Sequence, residues 1–587
     1  MSVSGNAFDF KLLARVLRFV KPYRKYLLTA IGLTVFLAFL SPVRPILIQY
    51  TVDHFILEPN AGMLFKMTLI MIGILMIEAI GQFFSNFISN FLGQSVIRDL
   101  RNTVFEHITD MRIKYFDNNP IGALVTRVVS DMESIASIFT EGIVILFGDL
   151  LQLSVVLIVM FYTDWRLALI SIATIPFLLI ATNIFKNGIK SAFQDVRNQV
   201  SRLNTYVQEH ITGMNIVQIF GMEKKAYEQF KIINNEHARA HIRSVWYYSI
   251  FLPVVEILSA ISIGLLIWLG AKNVIDGSTS PGNIVAFTLY INMLFRPIRQ
   301  LADRFNTLQM GMVSSERVFK VLDTHEYVAD EGIREKVKLK GAIQFKDVWM
   351  AYNEGDYVLK GVSFEAAPGD KIAIVGSTGS GKTTIINLIN RFYEFQKGEI
   401  LLDGHEIRTY RASHLRDNVA VVLQDVFLFS DSIYNNITLN NSEISRSRVE
   451  DAAKMVGAHG FIMKLPGGYD YNVMERGTML SAGQRQLIAF IRAYIYNPSI
   501  LVLDEATSSI DTETELLIQQ ATEKLTENRT SIIIAHRLAT IQKADKILVM
   551  DKGRIIEQGN HQDLLSQNGR YKALFELQFK EQRLQSK

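Results

Sequence analysis

With 587 residues, the chain is longer than one ordinary hydrophobic core organises, so at least two folded units are expected. Its 49% hydrophobic content and mean hydropathy of +0.18 are high for a soluble protein, and the apolar residues crowd into the first half. A net charge of +4, from 61 basic and 57 acidic residues, gives no case for a nucleic-acid-binding face. The lack of cysteine excludes disulfides, thiolate catalysis and cysteine-based metal sites.

From the start of the chain, Phe8, Leu12, Leu13, Val16, Leu17 and Val20 fall on one helical face, with Lys11, Arg15 and Arg18 elsewhere. That pattern predicts a helix lying at a membrane interface. No small-residue cleavage pattern follows a short apolar segment, so a removable signal peptide is not expected. A bilayer core of ~30 Å needs ~20 mostly apolar residues per helix. Residues 26–50, 64–92, 143–162, 165–185 and 246–269 each reach or approach that length. A sixth segment, 284–295, is short and spans only if its helix starts near Pro281 and continues past Arg296 and Pro297. Six spans are expected, because an even number returns the C-terminal region to the side of the N-terminus.

Basic residues near helix ends favour the cytoplasm. Lys11, Arg15, Arg18, Lys21, Arg24 and Lys25 precede the first span, whereas residues 51–63 contain no Lys or Arg and carry Asp53 and Glu58. The N-terminus is therefore expected inside. The long stretches 93–141 and 186–245 are rich in Arg and Lys and keep helical periodicity, as membrane helices running on into the cytosol would. Residues 271–283, with Gly277, Ser278, Ser280 and Pro281, read as a short outside turn. Arg44, Glu78, Asp149 and Glu256 fall inside spans, where a charge needs a partner or a wet cavity.

The spans end before Leu322, residues 323–340 form a charged linker, and short β-rich runs then alternate with helical stretches over 341–587, the pattern of an α/β domain. Gly376-Ser377-Thr378-Gly379-Ser380-Gly381-Lys382-Thr383-Thr384 follows the apolar run 372–375 and opens an apolar helix. A P-loop in that context wraps phosphates with backbone N–H groups, reaches the β/γ-phosphates with Lys382 and offers the Thr383 hydroxyl to Mg²⁺. The run Ile500-Leu-Val-Leu-Asp504-Glu505 is a buried strand ending in two carboxylates. Asp504 is suited to hold Mg²⁺ and Glu505 to polarise an attacking water.

Together these motifs resemble the nucleotide-binding domain of ABC transporters, and the whole chain resembles an ABC exporter half-transporter: a bundle of six transmembrane helices over 1–322, of the type I exporter kind, fused to an α/β P-loop NTPase domain. The signature appears as Leu480-Ser481-Ala482-Gly483-Gln484, with Ala482 where the family's first glycine stands, a methyl expected to crowd the contact with the γ-phosphate. Gln424 matches the Q-loop, His536 the switch histidine, Asp511 the D-loop aspartate, and Tyr352 the aromatic that stacks on adenine. Glu475-Arg476-Gly477 resembles the X-loop, while residues 115–131 and 220–223 resemble the two coupling-helix regions.

The resemblance implies ATP and Mg²⁺ as cofactors, with Thr383, Gln424 and Asp504 around the metal. It further implies a second half-transporter as partner, Ser481, Ala482, Gly483 and Gln484 of one copy meeting the ATP held by Lys382 of the other, with Glu505 as base. The expected activity is ATP-driven export of lipid, drug-like or other hydrophobic compounds. The expected setting is the bacterial inner membrane, with the N-terminus and the ATPase domain cytoplasmic. A homodimer is favoured because Lys382, Glu505 and His536 are all retained. An ATP-gated channel or a regulatory ABC membrane protein is the alternative. Soluble ABC ATPases lack such spans, and a peptide exporter with a fused cysteine peptidase is disfavoured by the absence of a Cys nucleophile.

Overall fold

The computed structural model describes residues 10–327, 332, 334, 338–504, 512–535 and 538–576. The chain divides into two compact units, one of Met1–Asp110 and Pro120–His325, the other of Met111–Asn119 and Glu326–Lys587.

The first unit is helical. After Phe10–Arg18 (α1) and Arg24–Leu40 (α2) comes the 49-residue Ala61–Thr109 (α3). The short Ile113–Asn118 (α4) falls within the second unit. Val144–Thr163 (α5), Ile175–Thr212 (α6), Glu223–Ile275 (α7) and Pro281–Leu322 (α8) complete the long helices. Among the described residues, five helical stretches are long and apolar enough to cross a membrane: Lys21–Ile56, Ala61–Thr109, Ile121–Thr163, Trp165–Thr212 and Glu223–Ile275. The 42-residue α8 stands apart from these five. Its apolar residues Phe287, Tyr290, Ile291, Leu294 and Phe295 are all buried inside the bundle.

Large apolar side chains in this unit lie on the outside as well as in the core. Phe83, Ile158, Ile180 and Trp268 point outward, between 60% and 72% exposed, whereas Ser171 and Ser262 are fully buried and the Ser262 hydroxyl donates to the Ser171 carbonyl at 2.7 Å. Gly188 lets α6 approach α7 so closely that a Cβ there would sit 2.3 Å from the Tyr247 ring. Where hydrocarbon surrounds the bundle, apolar side chains incur no penalty for facing outward, and association rests on side-chain packing, close backbone approach and buried hydrogen bonds. At one end Asp53 takes the Ser280 hydroxyl (2.6 Å) and the Gly282 N–H (2.8 Å), and Asp164 takes the Thr279 hydroxyl (2.9 Å). These bonds tie the turn before α8 to two other helix ends.

The second unit holds two sheets. Ile343–Ala351 (β1), Tyr357–Ala366 (β2), Lys397–Leu402 (β4) and His405–Glu406 (β5) form an antiparallel sheet in the order β2-β1-β4-β5. Lys371–Gly376 (β3), Val419–Val422 (β6), Ile500–Asp504 (β7), Thr530–Ile534 (β8), Lys546–Asp551 (β9) and Arg554–Gly559 (β10) form the other, in the order β10-β9-β3-β8-β7-β6. Only β10 is antiparallel to its neighbour there. Unbroken Ile/Val/Leu runs suit strands covered on both faces. Ile372, Ile374, Val502, Ile532 and Ile534 enter one core, and Ala373, Val375, Leu501, Leu503 and Ile533 enter the other, as side-chain alternation requires. The α4 segment is fixed to this unit by Arg112, whose N–H donates to the Glu326 carbonyl at 2.9 Å and whose guanidinium donates to the Tyr327 carbonyl.

Candidate functional site

The parallel order gathers the chemical motifs at one sheet edge. Strands β3, β8, β7 and β6 lie side by side and end at Gly376, Ile534, Asp504 and Val422. The P-loop, the position after β8, Asp504 and Gln424 therefore share the carboxyl edge, where open α/β sheets bind ligands.

The loop from Ser377 to Gly381 leads into Lys382–Ile389 (α9). Gly381 caps that helix with φ at +102°, a left-handed conformation that glycine adopts at no steric cost. Gly553, in the turn between β9 and β10, props the loop from behind: its N–H donates to the Ser380 carbonyl (3.1 Å) and its own carbonyl accepts from Lys360 (2.9 Å). Lys382 is 9% exposed, and its ammonium donates to the Gly376 and Ser377 carbonyls, both at 2.9 Å. Burial pushes its pKa down, partly offset by the field of Asp504. The lysine is thus folded back into its own loop, within the field of the Asp504 carboxylate, and an incoming phosphate would supply the countercharge that burial withholds.

The donor set fits a phosphate ligand with Mg²⁺. The Ser380 hydroxyl is buried within the cradle and has no hydrogen-bond partner there, an unspent polar group in a loop shaped for anions. Thr383 is exposed while Thr384 is buried, so the two adjacent hydroxyls face different surroundings. Gln424 is also exposed, beyond the end of β6. One carboxylate, one hydroxyl and one amide oxygen suit Mg²⁺, which commonly completes its shell with water and phosphate oxygens rather than a protein cage.

Tyr352 follows β1 directly, half-buried; its hydroxyl lies 3.2 Å from Thr384 Oγ1 and accepts from Asn387 Nδ2 at 3.1 Å. No motif pointed to Asn387 or to the neighbouring Tyr393, because their role depends on which strand packs above α9.

Ser481 caps Ala482–Ile495 (α10) in a reciprocal box: its hydroxyl accepts from Gln484 N–H (3.2 Å) and Gln484 Oε1 accepts from Ser481 N–H (3.0 Å). Ala482 is the first helical residue, exposed and outside the positive-φ set, so the fold itself does not demand glycine there. Gly483 is buried. Arg485 donates to the Leu480 carbonyl at 2.7 Å and bridges back to the Glu475–Gly477 turn, where Met474 and Arg476 both hold positive φ. Glu505, Asp511 and His536 lie outside the described residues.

Comparison with known proteins follows the same division. Residues 27–298 match the family model for the ABC transporter transmembrane region, and residues 359–508 match that for the ABC transporter. The chain is 39% identical over 575 residues to YknV of Bacillus subtilis, described as an uncharacterized ABC transporter ATP-binding protein, covering 97% of this chain and 95% of that one. It is 35% identical over 571 residues to the ATP-dependent lipid A-core flippase of Syntrophus aciditrophicus, at 97% and 95% coverage. Among solved structures, a bacterial Atm1-family ABC exporter with ATP bound superimposes with a TM-score of 0.76 at 28% identity, covering 94% of this chain and 98% of that one.

Proposed function

The chain belongs to the ABC transporter family as an integral membrane protein with its transmembrane region and ATP-binding domain on one polypeptide, and from that premise we propose how its residues drive export. It is an ATP-driven exporter of the half-transporter kind, and a half-transporter works as a dimer. Convergence of the P-loop and Asp504 at one carboxyl edge, on a chain that also carries membrane-crossing helices, is the observation that carries the mechanism.

In our reading, Tyr352 stacks on adenine, residues 376–384 hold the phosphates, and Lys382 turns from its own loop carbonyls to the β/γ-phosphates. Thr383, Asp504 and Gln424 would hold Mg²⁺, which when bound neutralises phosphate charge. Glu505 polarises the attacking water and His536 steadies the γ-phosphate. Ser481 and Gly483 of a second copy complete the site, with Ala482 and Gln484 beside them and Asp511 at the facing surface. ATP then favours the closed sandwich because only the triphosphate engages both copies, and hydrolysis removes that differential affinity.

The distribution of basic residues supports an orientation with the N-terminus and ATPase unit in the cytoplasm, and the bacterial relatives support the plasma membrane as its location. The flippase relative supports a lipid or other hydrophobic cargo. We favour a homodimer, since this one chain retains Lys382, Asp504, Glu505 and His536. The test is reconstitution of the purified chain in liposomes, with candidate amphiphiles screened for stimulated ATP hydrolysis and ATP-dependent accumulation. Accumulation against a gradient is expected. An ATP-dependent ion conductance without accumulation would replace the pump by a channel.

A further inference from the structure

Tyr393 sits where α4 and the adenine side of the site meet within the second unit. Its hydroxyl donates to Asp117 on α4, and its ring stands edge-on to Tyr352, centroids 4.8 Å apart at 86°. Both tyrosines pack against the same buried core. Tyr352 in turn is held at its hydroxyl by Thr384 and Asn387 on α9. An unbroken line of contacts therefore runs from a carboxylate on α4, through two aromatic rings, to the helix that opens at the P-loop lysine.

The middle of that line is rigidly mounted. Arg391, 4% exposed at φ +54°, donates to Glu394 (3.0 Å) and to the Tyr410 carbonyl (3.1 Å). Gln396 exchanges two side-chain bonds with the Ala351 backbone, 2.8 and 3.0 Å, immediately before Tyr352. The backbone carrying Tyr393 and the backbone carrying Tyr352 are thus clamped together, leaving ring orientation as the free variable. Burial and the Asp117 carboxylate push the Tyr393 phenol upward in pKa, so it remains a donor at neutral pH.

We infer that Tyr393 is a positioning residue: its bond to Asp117 sets the ring of Tyr352 for adenine, so that capture of the base and the seating of α4 are coupled. The inference rests on the reading of Tyr352 as the base-contacting aromatic. Asp117 is exposed on a six-residue helix whose flanking segments both belong to the membrane unit, so its bond to Tyr393 ties that excursion of the chain to the tyrosine pair. Edge-to-face aromatic pairs have a preferred orientation, which gives Tyr393 directional purchase on its neighbour.

The test uses the full-length chain reconstituted in liposomes, carrying Tyr393→Phe or Asp117→Ala, each alone and combined with Tyr352→Leu. Loss of one charge-assisted hydrogen bond should raise the KM for ATP about five-fold in either single variant, with kcat close to parental. Inorganic tripolyphosphate, which has no base, serves as a competitive probe, and its Ki should stay unchanged because the P-loop is untouched. In the Tyr352→Leu background neither change should raise KM further, since the residue they act through is gone. Unchanged KM in both single variants overturns the inference. So does a parallel rise in the tripolyphosphate Ki, or a KM effect that persists without Tyr352. Separately, a Tyr352→Leu chain with parental KM overturns the base-contact reading itself, whatever the other two variants do.

Discussion

The P-loop lysine is the residue on which most of the nucleotide chemistry converges. Lys382→Ala removes the charge aimed at the β/γ-phosphates, and ATPase turnover should fall by at least about a hundredfold. Phosphate release from the purified variant measures this, and near-parental turnover would reject the P-loop assignment. Glu505→Gln is expected to separate binding from chemistry: ATP is still captured and stays unhydrolysed in a closed dimer, detectable as nucleotide retained through gel filtration. A variant hydrolysing at the parental rate would move the base elsewhere. Gly553 tests the loop's support, because at φ +83° any Cβ would lie 2.0 Å from the Val358 carbonyl oxygen. Gly553→Ala should cost about 2 kcal/mol or more, seen as a lowered Tm of the ATP-binding unit within the full chain. Contiguous motifs such as residues 376–384, Asp504 and Ser481 were readable from the chain, because their chemistry is local. Tyr393 and Asn387 were not, since what they touch is decided by strand packing far away in sequence.

Among the elements, the long helices were legible because hydrophobic length is written directly in the sequence, and their continuation well beyond the apolar core was signalled by helical periodicity over 186–245, a stretch the structure divides between α6 and α7. The weak sixth segment has a physical explanation. Helix α8 buries Phe287, Tyr290, Ile291 and Leu294 among its neighbours, so it carries fewer of the outward apolar residues that make the other five conspicuous. What periodicity could not reveal is that α4, flanked on both sides by membrane-unit segments, folds into the other unit. Its Tyr115 is buried and Arg112 bonds to residues over two hundred positions away, a partnership no local window contains. Orientation can be tested at this scale, since the chain has no cysteine and Ser278 and Ser191 are both exposed. A cysteine at position 278 should react with an impermeant thiol reagent in intact cells, and one at position 191 should react only after permeabilisation. The reverse pattern would overturn the assignment built on basic residues.

For the whole molecule, the proposed homodimer makes a quantitative demand. The chain purified alone should hydrolyse ATP, and titrating in Glu505→Gln chains should depress activity more steeply than dilution of active copies predicts, because mixed dimers carry one dead site in a coupled pair. A folded, monodisperse preparation that hydrolyses nothing until a different half-transporter is added would reject self-association as the working state. The assignment of Met111–Asn119 to the ATP-binding unit bears on how such a protein can be cut. Cutting the chain between His325 and Glu326 breaks only one of the three points where the polypeptide passes between units. A soluble fragment beginning at residue 326 would leave behind the Asp117 that Tyr393 binds and the Arg112 that bonds to Glu326 and Tyr327, so it should fold with an open seam beside its adenine side. Kinetic constants measured on that fragment would describe a machine missing a part, and adding the missing nine-residue peptide back in trans is the simplest way to find out how much that part contributes.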